Sequence, residues 1–273
     1  MAASSTPPRI EKSPGVRPSS AIAIGAVAAI AVLAIITVWD LLALFTTLHI
    51  LDAIECVTLL GSVISLWGLV RAMGTEGAAS KGWMILFGGV STYFAGEIVF
   101  TTHRFVTISQ VIFPSVADLF FVTGQLLIVA ALLWLILAYS TSGLPMGSSS
   151  SYLVVLIVVA SLAIFLVGRF TLPMWADPSF SYGWKLVTTI YSSLDLATLC
   201  AALVLLRVAI LFRGGVVAQG WAAIAVAFVF MTAGDTFFGI GVDERYAGLA
   251  FLASYASLTF GALRHAEIVR SMK

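Results

Sequence analysis

Charge is what this sequence has least of. Aspartate, glutamate, lysine and arginine together make up 10% of the 273 residues, where a soluble domain carries roughly 25%. Apolar side chains account for 60% and the mean hydropathy is +1.08, so the chain cannot cover itself with polar surface. It reads as an integral membrane protein whose first partner is the lipid bilayer. A net charge of +1 leaves no basic footprint for a polyanion, which argues against nucleic acid as a partner. Lysine is scarce as well. Lys12, Lys81, Lys185 and Lys273 all fall in termini or loops, whereas a retinal Schiff base needs a lysine inside a span. No span has a central histidine, so haem is poorly supported and the cofactor is left undefined. Metalloprotease, phosphate-loop, nucleophile-elbow and CxxC motifs are missing, which weighs against an enzyme without excluding one. The two cysteines, Cys56 and Cys200, lie in apolar segments and read as small core residues.

What the chain has in abundance is long apolar runs. Stretches long enough for a span of about 20 residues fall near 20–46, 50–73, 82–102, 115–140, 151–172, 185–212, 220–241 and 246–266. The breaks between them carry turn chemistry, as in GTEGAASKG and SGLPMGSSSS. Residues 1–18 read as a disordered tail, and the run after it is too long for a signal peptide. With the amino terminus inside, ten lysines and arginines collect on the cytoplasmic side. Only Arg104, Arg169, Lys185 and Arg245 fall outside, as the positive-inside rule requires. Both termini are then cytoplasmic.

The chain also repeats. Gly82-Trp83 and Gly96-Glu97 recur at equal spacing as Gly220-Trp221 and Gly234-Asp235. Leu51-Asp52 matches Leu194-Asp195, and ADLFFVTGQLLIVAAL (117–132) resembles AGLAFLASYASLTFGAL (247–263). Matching spans are four apart, so the halves point the same way, a parallel repeat about an axis along the membrane normal. The expected organisation is all-α: a tail (1–18), two four-helix repeats (19–145 and 146–266) and a cytoplasmic tail (267–273).

Seven carboxylates sit within or beside spans: Asp40, Asp52, Glu55, Glu97, Asp118, Asp195 and Asp235. With this orientation and a rise of about 1.5 Å per residue, all fall in the outer half. Asp195 is the deepest. A lipid-facing Asp at a helix centre costs about 2.5–3.5 kcal/mol, so these groups must face one another, a base, or water. Glu97, Asp118, Asp195 and Asp235, with Asp52 and Glu55 nearby, are the candidate ligand-binding residues. Simpler roles compete. Asp118 suits a helix cap behind Pro114, and Asp52 and Glu55 suit the start of span two. Glu97 and Asp235 sit near carboxy-terminal helix ends, where the dipole disfavours them, and an ion pair with Arg104 or Arg245 is their structural alternative. His103 with Glu97 and Asp118 is a candidate metal set. Trp83, Trp221, His49 and His265 read as interfacial residues.

An apolar span ending in Gly-acid, an outer loop, then PSxADxxF and a small-residue-rich span resembles a bacterial family of multispan sensor regions. Those regions precede diguanylate-cyclase (GGDEF-type), EAL or histidine-kinase output domains. Trp83, Gly96, Glu97, Pro114, Ser115, Ala117, Asp118 and Phe121 carry the resemblance, with Trp221, Gly234 and Asp235 in the second half. It implies a sensory input module of a prokaryotic cytoplasmic (inner) membrane, here without an output domain. Such a module would be either excised from a longer protein or a stand-alone relative with a cytoplasmic signalling partner; a homodimer is compatible with it. The reading is a receptor or sensor for a small polar or cationic ligand, metal ion or proton entering from outside. Movement of span eight against span four would carry the signal. The alternatives are a cation or proton transporter or channel, and an intramembrane carboxylate- or metal-dependent enzyme.

Overall fold

The computed structural model describes residues 44–107, 113–142, 146–211 and 216–272. Among them every regular element is helical, and seven helices are long and apolar enough to cross a bilayer. The molecule is a multi-pass helical membrane protein. The helices are α1 (Leu44–Met73), α2 (Ala78–Thr107), α3 (Val116–Thr141), α4 (Ser149–Ala176), α5 (Tyr182–Leu211), α6 (Val216–Gly239) and α7 (Glu244–Ser271). The expected first span, the amino-terminal tail and Asp40 lie outside the described residues.

Helix ends follow local chemistry. At the end of α6 the Gly241 N–H donates to the Phe238 carbonyl at 3.2 Å and the Val242 N–H to that of Phe237 at 3.0 Å, with Gly241 at φ 68°. This double closure needs a left-handed residue, and glycine supplies it without a Cβ clash. Before α3, Phe113-Pro114 is a cis peptide. Ser115 Oγ then accepts from the Ala117 N–H at 3.2 Å, while Asp118 Oδ2 accepts from the Ser115 N–H at 2.5 Å. Ser115→Ala should lower stability by about 1 kcal/mol, read as a shift of the unfolding midpoint in detergent. Asp243 caps α7, and its hydrogen bonds from Arg245 hold its carboxyl below the usual carboxylate range. That stabilisation is present at neutral pH and is lost as the pH falls through the depressed value. Inside α4, the Leu172 N–H reaches back to Val167 across the π turn Val167–Thr171, just before Pro173, which has no N–H to give.

Six helices form a closed ring in the order α1, α2, α3, α5, α6, α7, with α7 returning to α1; α4 packs on α5 outside it. The closest approach is between α2 and α3. A Cβ on Gly89 would lie 3.0 Å from the Gly124 carbonyl, and one on Gly124 would lie 2.8 Å from Gly89 O and Tyr93 N. Association in lipid depends on such close packing of small residues. Two further contacts recur around the ring. A Cβ on Gly96 would meet Phe121 at 2.8 Å, and one on Gly234 would meet Phe251 at 2.6 Å. Each Gly-acid turn thus receives a phenylalanine from the next helix in the chain.

The middle of the ring is mainly apolar, filled by Leu66, Leu86, Ile128, Leu132, Ile224 and Phe228, with Ser62, Gln125, Thr198 and Thr259 buried among them. At the end remote from the acidic residues, Trp83 and Trp221 meet with ring centroids 5.2 Å apart. His265 lies 4.9 and 5.1 Å from them. This corrects the interfacial reading of all three: both tryptophans are 1% exposed, and His265 is buried with Nδ1 on the Gly261 carbonyl at 3.0 Å. The physical reason is the glycine before each tryptophan. Gly82 accepts Leu135 of α3 against its backbone, drawing the helices together and turning the indole inward.

Candidate functional site: an acid-lined aromatic cavity

The acids converge because antiparallel helices bring alternate ends together. Asp52 and Glu55 lie near the start of α1 and Asp118 near that of α3. Asp235 lies in the final turns of α6, Glu97 lies ten residues before the end of α2 rather than near its carboxy terminus, and Glu244 opens α7. These six carboxylates line one partly enclosed cavity of about 90 Å³ at one end of the ring. A water needs roughly 10–15 Å³ on this measure, so the space holds several waters or a small solute.

Arg104, from the last turn of α2, is the one cation among the described residues lining the cavity. Its guanidinium donates to Asp52 Oδ1 at 3.3 Å and to Glu244 Oε2 at 2.7 Å, and stands 4.7 Å from the centre of the Phe100 ring. Asp52 is 5% exposed, and its Oδ2 has no hydrogen-bond partner. Opposite, Tyr191 donates to Asp118 Oδ1 at 2.9 Å, so both Asp118 oxygens are engaged. Glu55 Oε1 occupies the space that Gly248 opens, since a Cβ there would lie 2.7 Å away.

Five of the six candidate ligand-binding residues therefore border one space: Asp52, Glu55, Glu97, Asp118 and Asp235. The sixth, Asp195, lies outside the lining, with Oδ1 accepting from Gln125 Nε2 at 2.9 Å. Asp118 does cap α3, as its sequence context suggests, and borders the cavity as well. Asp52 and Glu55 do not cap span two. The chain is already helical from Leu44, so Asp52 sits about two turns and Glu55 about three turns inside it. Arg104 pairs with Asp52 and Glu244 rather than with Glu97, and Arg245 holds Asp243.

His103 is not part of the cavity. It is exposed on the other side of α2, among Ile98, Val99 and Val106, and its ring nitrogen contacts Thr107. Six residues from Glu97 on a helix of 3.6 residues per turn, it faces well away from that carboxylate. The candidate metal set of His103, Glu97 and Asp118 is therefore not assembled. Among the described residues no three His, Cys, Asp or Glu side chains form a metal-holding group.

The carboxylate pattern alone does not reveal the aromatic wall. Phe100 and Phe238 meet edge to face at 6.5 Å, and Phe113 lies 5.8 Å from Phe238. Deeper, Tyr93 packs on Phe121 at 4.7 Å and on Tyr255 at 6.4 Å. A signal for the first pair is present in the sequence. Gly-acid-x-x-Phe occurs twice, at Gly96–Phe100 and at Gly234–Phe238, and a three-residue step on a helix puts ring and carboxylate on one face. Comparison of the chain with protein-family models, with curated proteins and with solved structures finds no match.

Proposed function

We propose that the chain is a non-enzymatic receptor or sensor module that binds a small cationic ligand in the acid-lined cavity. The observation that carries this reading is the placement of six carboxylates, drawn from α1, α2, α3, α6 and α7, against a single arginine around one space. Buried like charges repel, and a cation among them relieves the repulsion. The filled core between the cavity and the Trp83–Trp221–His265 cluster, in which the buried Ser62 and Thr259 hydroxyls bond each other, supports binding over conduction.

The proposal includes a membrane orientation: a prokaryotic cytoplasmic membrane, both termini inside, and the cavity facing out, as the lysine and arginine distribution favours. It also includes eight spans in a duplicated four-helix unit. The constant separation of Trp83 from Trp221, Glu97 from Asp235 and Phe100 from Phe238 supports the duplication. So does the matching order of neighbours, in which α1–α2–α3 corresponds to α5–α6–α7. The principal neighbours of α7 are α1 and α6, not α3, so the signalling motion is assigned to α7 against α1. Both contribute acids to the cavity, and both run to the far end of the bundle.

The test is thermal unfolding of the detergent-solubilised chain with chloride salts of sodium, magnesium, calcium and methylated ammonium ions. A ligand at a hundredfold excess over its Kd adds about 2.7 kcal/mol of stability. We expect one class of cation to do so at matched ionic strength, and the Glu97→Gln/Asp235→Asn double variant to lose the effect while still unfolding cooperatively. An undiminished shift in that variant would reject the site.

A further inference from the structure

The receptor reading leaves the class of cation open, and assigning that class rests on the receptor reading itself. Arg104 shows what this cavity does with a positive group. Its guanidinium lies over the Phe100 ring at 4.7 Å and between two carboxylates, Asp52 and Glu244. The arrangement joins a π face to an anion, the combination that holds organic cations.

The same components recur beside this pair without the arginine. Phe238 comes three residues after Asp235, as Phe100 does after Glu97. The two rings meet at 6.5 Å, and Phe113 flanks Phe238 at 5.8 Å. Asp118, held by Tyr191, borders the same space. Four residues beyond Phe100 stands Arg104; four beyond Phe238 stands Val242. The second repeat has the ring and the acid, but α6 ends at Gly239, so Val242 lies past the helix and outside the cavity lining. Asp52 Oδ2, buried and without a hydrogen-bond partner in a residue that lines the space, adds an acceptor.

We infer that the ligand presents an organic ammonium group, seated against Phe238 and Asp235 beside the Arg104–Phe100 pair. A hard divalent ion fits less well. It wants six or more oxygens at roughly 2.0–2.6 Å, and the described side chains offer no three-membered metal-holding group. Aromatic rings that reward a metal ion little are well suited to a weakly hydrated alkylammonium. A volume of about 90 Å³ admits a methylated amine.

Isothermal calorimetry on the detergent-solubilised chain, with methylammonium, trimethylammonium and tetramethylammonium chlorides against sodium, magnesium and calcium chlorides, tests this. The methylated ions should bind more tightly than sodium at equal ionic strength. Phe238→Leu, which keeps apolar bulk and removes the π face, should weaken them about fivefold or more. Phe238→Tyr, which keeps the face, should retain them. Should the leucine variant not fold, the order of affinities in the unaltered protein decides the question. Binding confined to the inorganic cations, or methylated-ion affinity unchanged in a folded Phe238→Leu, would overturn the ammonium assignment and leave the receptor reading standing. No binding by either series would overturn both.

Discussion

Arg104→Met should cost about 3–5 kcal/mol, the range for breaking a buried ion pair from one side. The Arg104 side chain is 9% exposed and bonds the side chains of Asp52, 7% exposed, and Glu244, 30% exposed. Methionine keeps most of the apolar stem but leaves Asp52 with neither oxygen partnered, because Oδ2 has no partner already. The penalty therefore falls mainly on Asp52, since Glu244 can turn to water. Combining Arg104→Met with Asp52→Asn should recover most of the loss, because the stranded charge is then gone. Reversible unfolding of the four proteins in a double-mutant cycle measures this. Additive costs for the two substitutions would show that the pair contributes no coupling.

Gly124→Val should be the most damaging single change in the ring. Its Cβ would approach Gly89 O and Tyr93 N at 2.8 Å. Both are main-chain atoms of α2, so no side-chain rotation relieves the contact, and the helices must separate. Overpacking in a well-filled core costs about 1–3 kcal/mol when side chains can shift, and contact with two backbone atoms puts the cost at or above the top of that range. Gly88, one position away from Gly89, has nothing within 4 Å of its Cβ site, so Gly88→Ala is the matched control and should be close to neutral. Comparable unfolding midpoints for Gly124→Val and Gly88→Ala would contradict this close packing of α2 on α3.

Much of this architecture is legible in hydropathy, because a bilayer imposes length and apolarity on each span. The boundaries are less so. Histidine and threonine between 46 and 50 look like a break, yet α1 runs through them from Leu44, and that shift turns Asp52 and Glu55 from caps into cavity residues. Asp235 stands out in the sequence because a carboxylate near a helix carboxy terminus has to be explained; Glu97 stands out for the same reason, yet α2 runs on ten residues past it to Thr107. Glu244 does not, because an acid in the first turn of a helix is ordinary. Trp83, Trp221 and His265 mislead for a related reason. Position along a span gives depth in the membrane, but whether a ring faces lipid or core depends on the helix opposite. Gly82 and Gly220 beside the tryptophans are the only local hint. The direction in which His103 points depends on helical phase relative to Glu97, and requires knowing that one helix carries both.

The return of α7 to α1 has a consequence for biogenesis. Hairpins such as α2–α3 and α6–α7 join neighbours in sequence and can assemble as each pair leaves the insertion machinery. The α1–α7 seam joins segments nearly two hundred residues apart in the numbering, so it closes last. Until then Asp52 and Glu55 lack the partners that α7 brings, and Ser62 lacks the Tyr255 carbonyl and Thr259 hydroxyl that it bonds across the seam. The polar face of α1 is a waiting surface, and α7 completes the chamber.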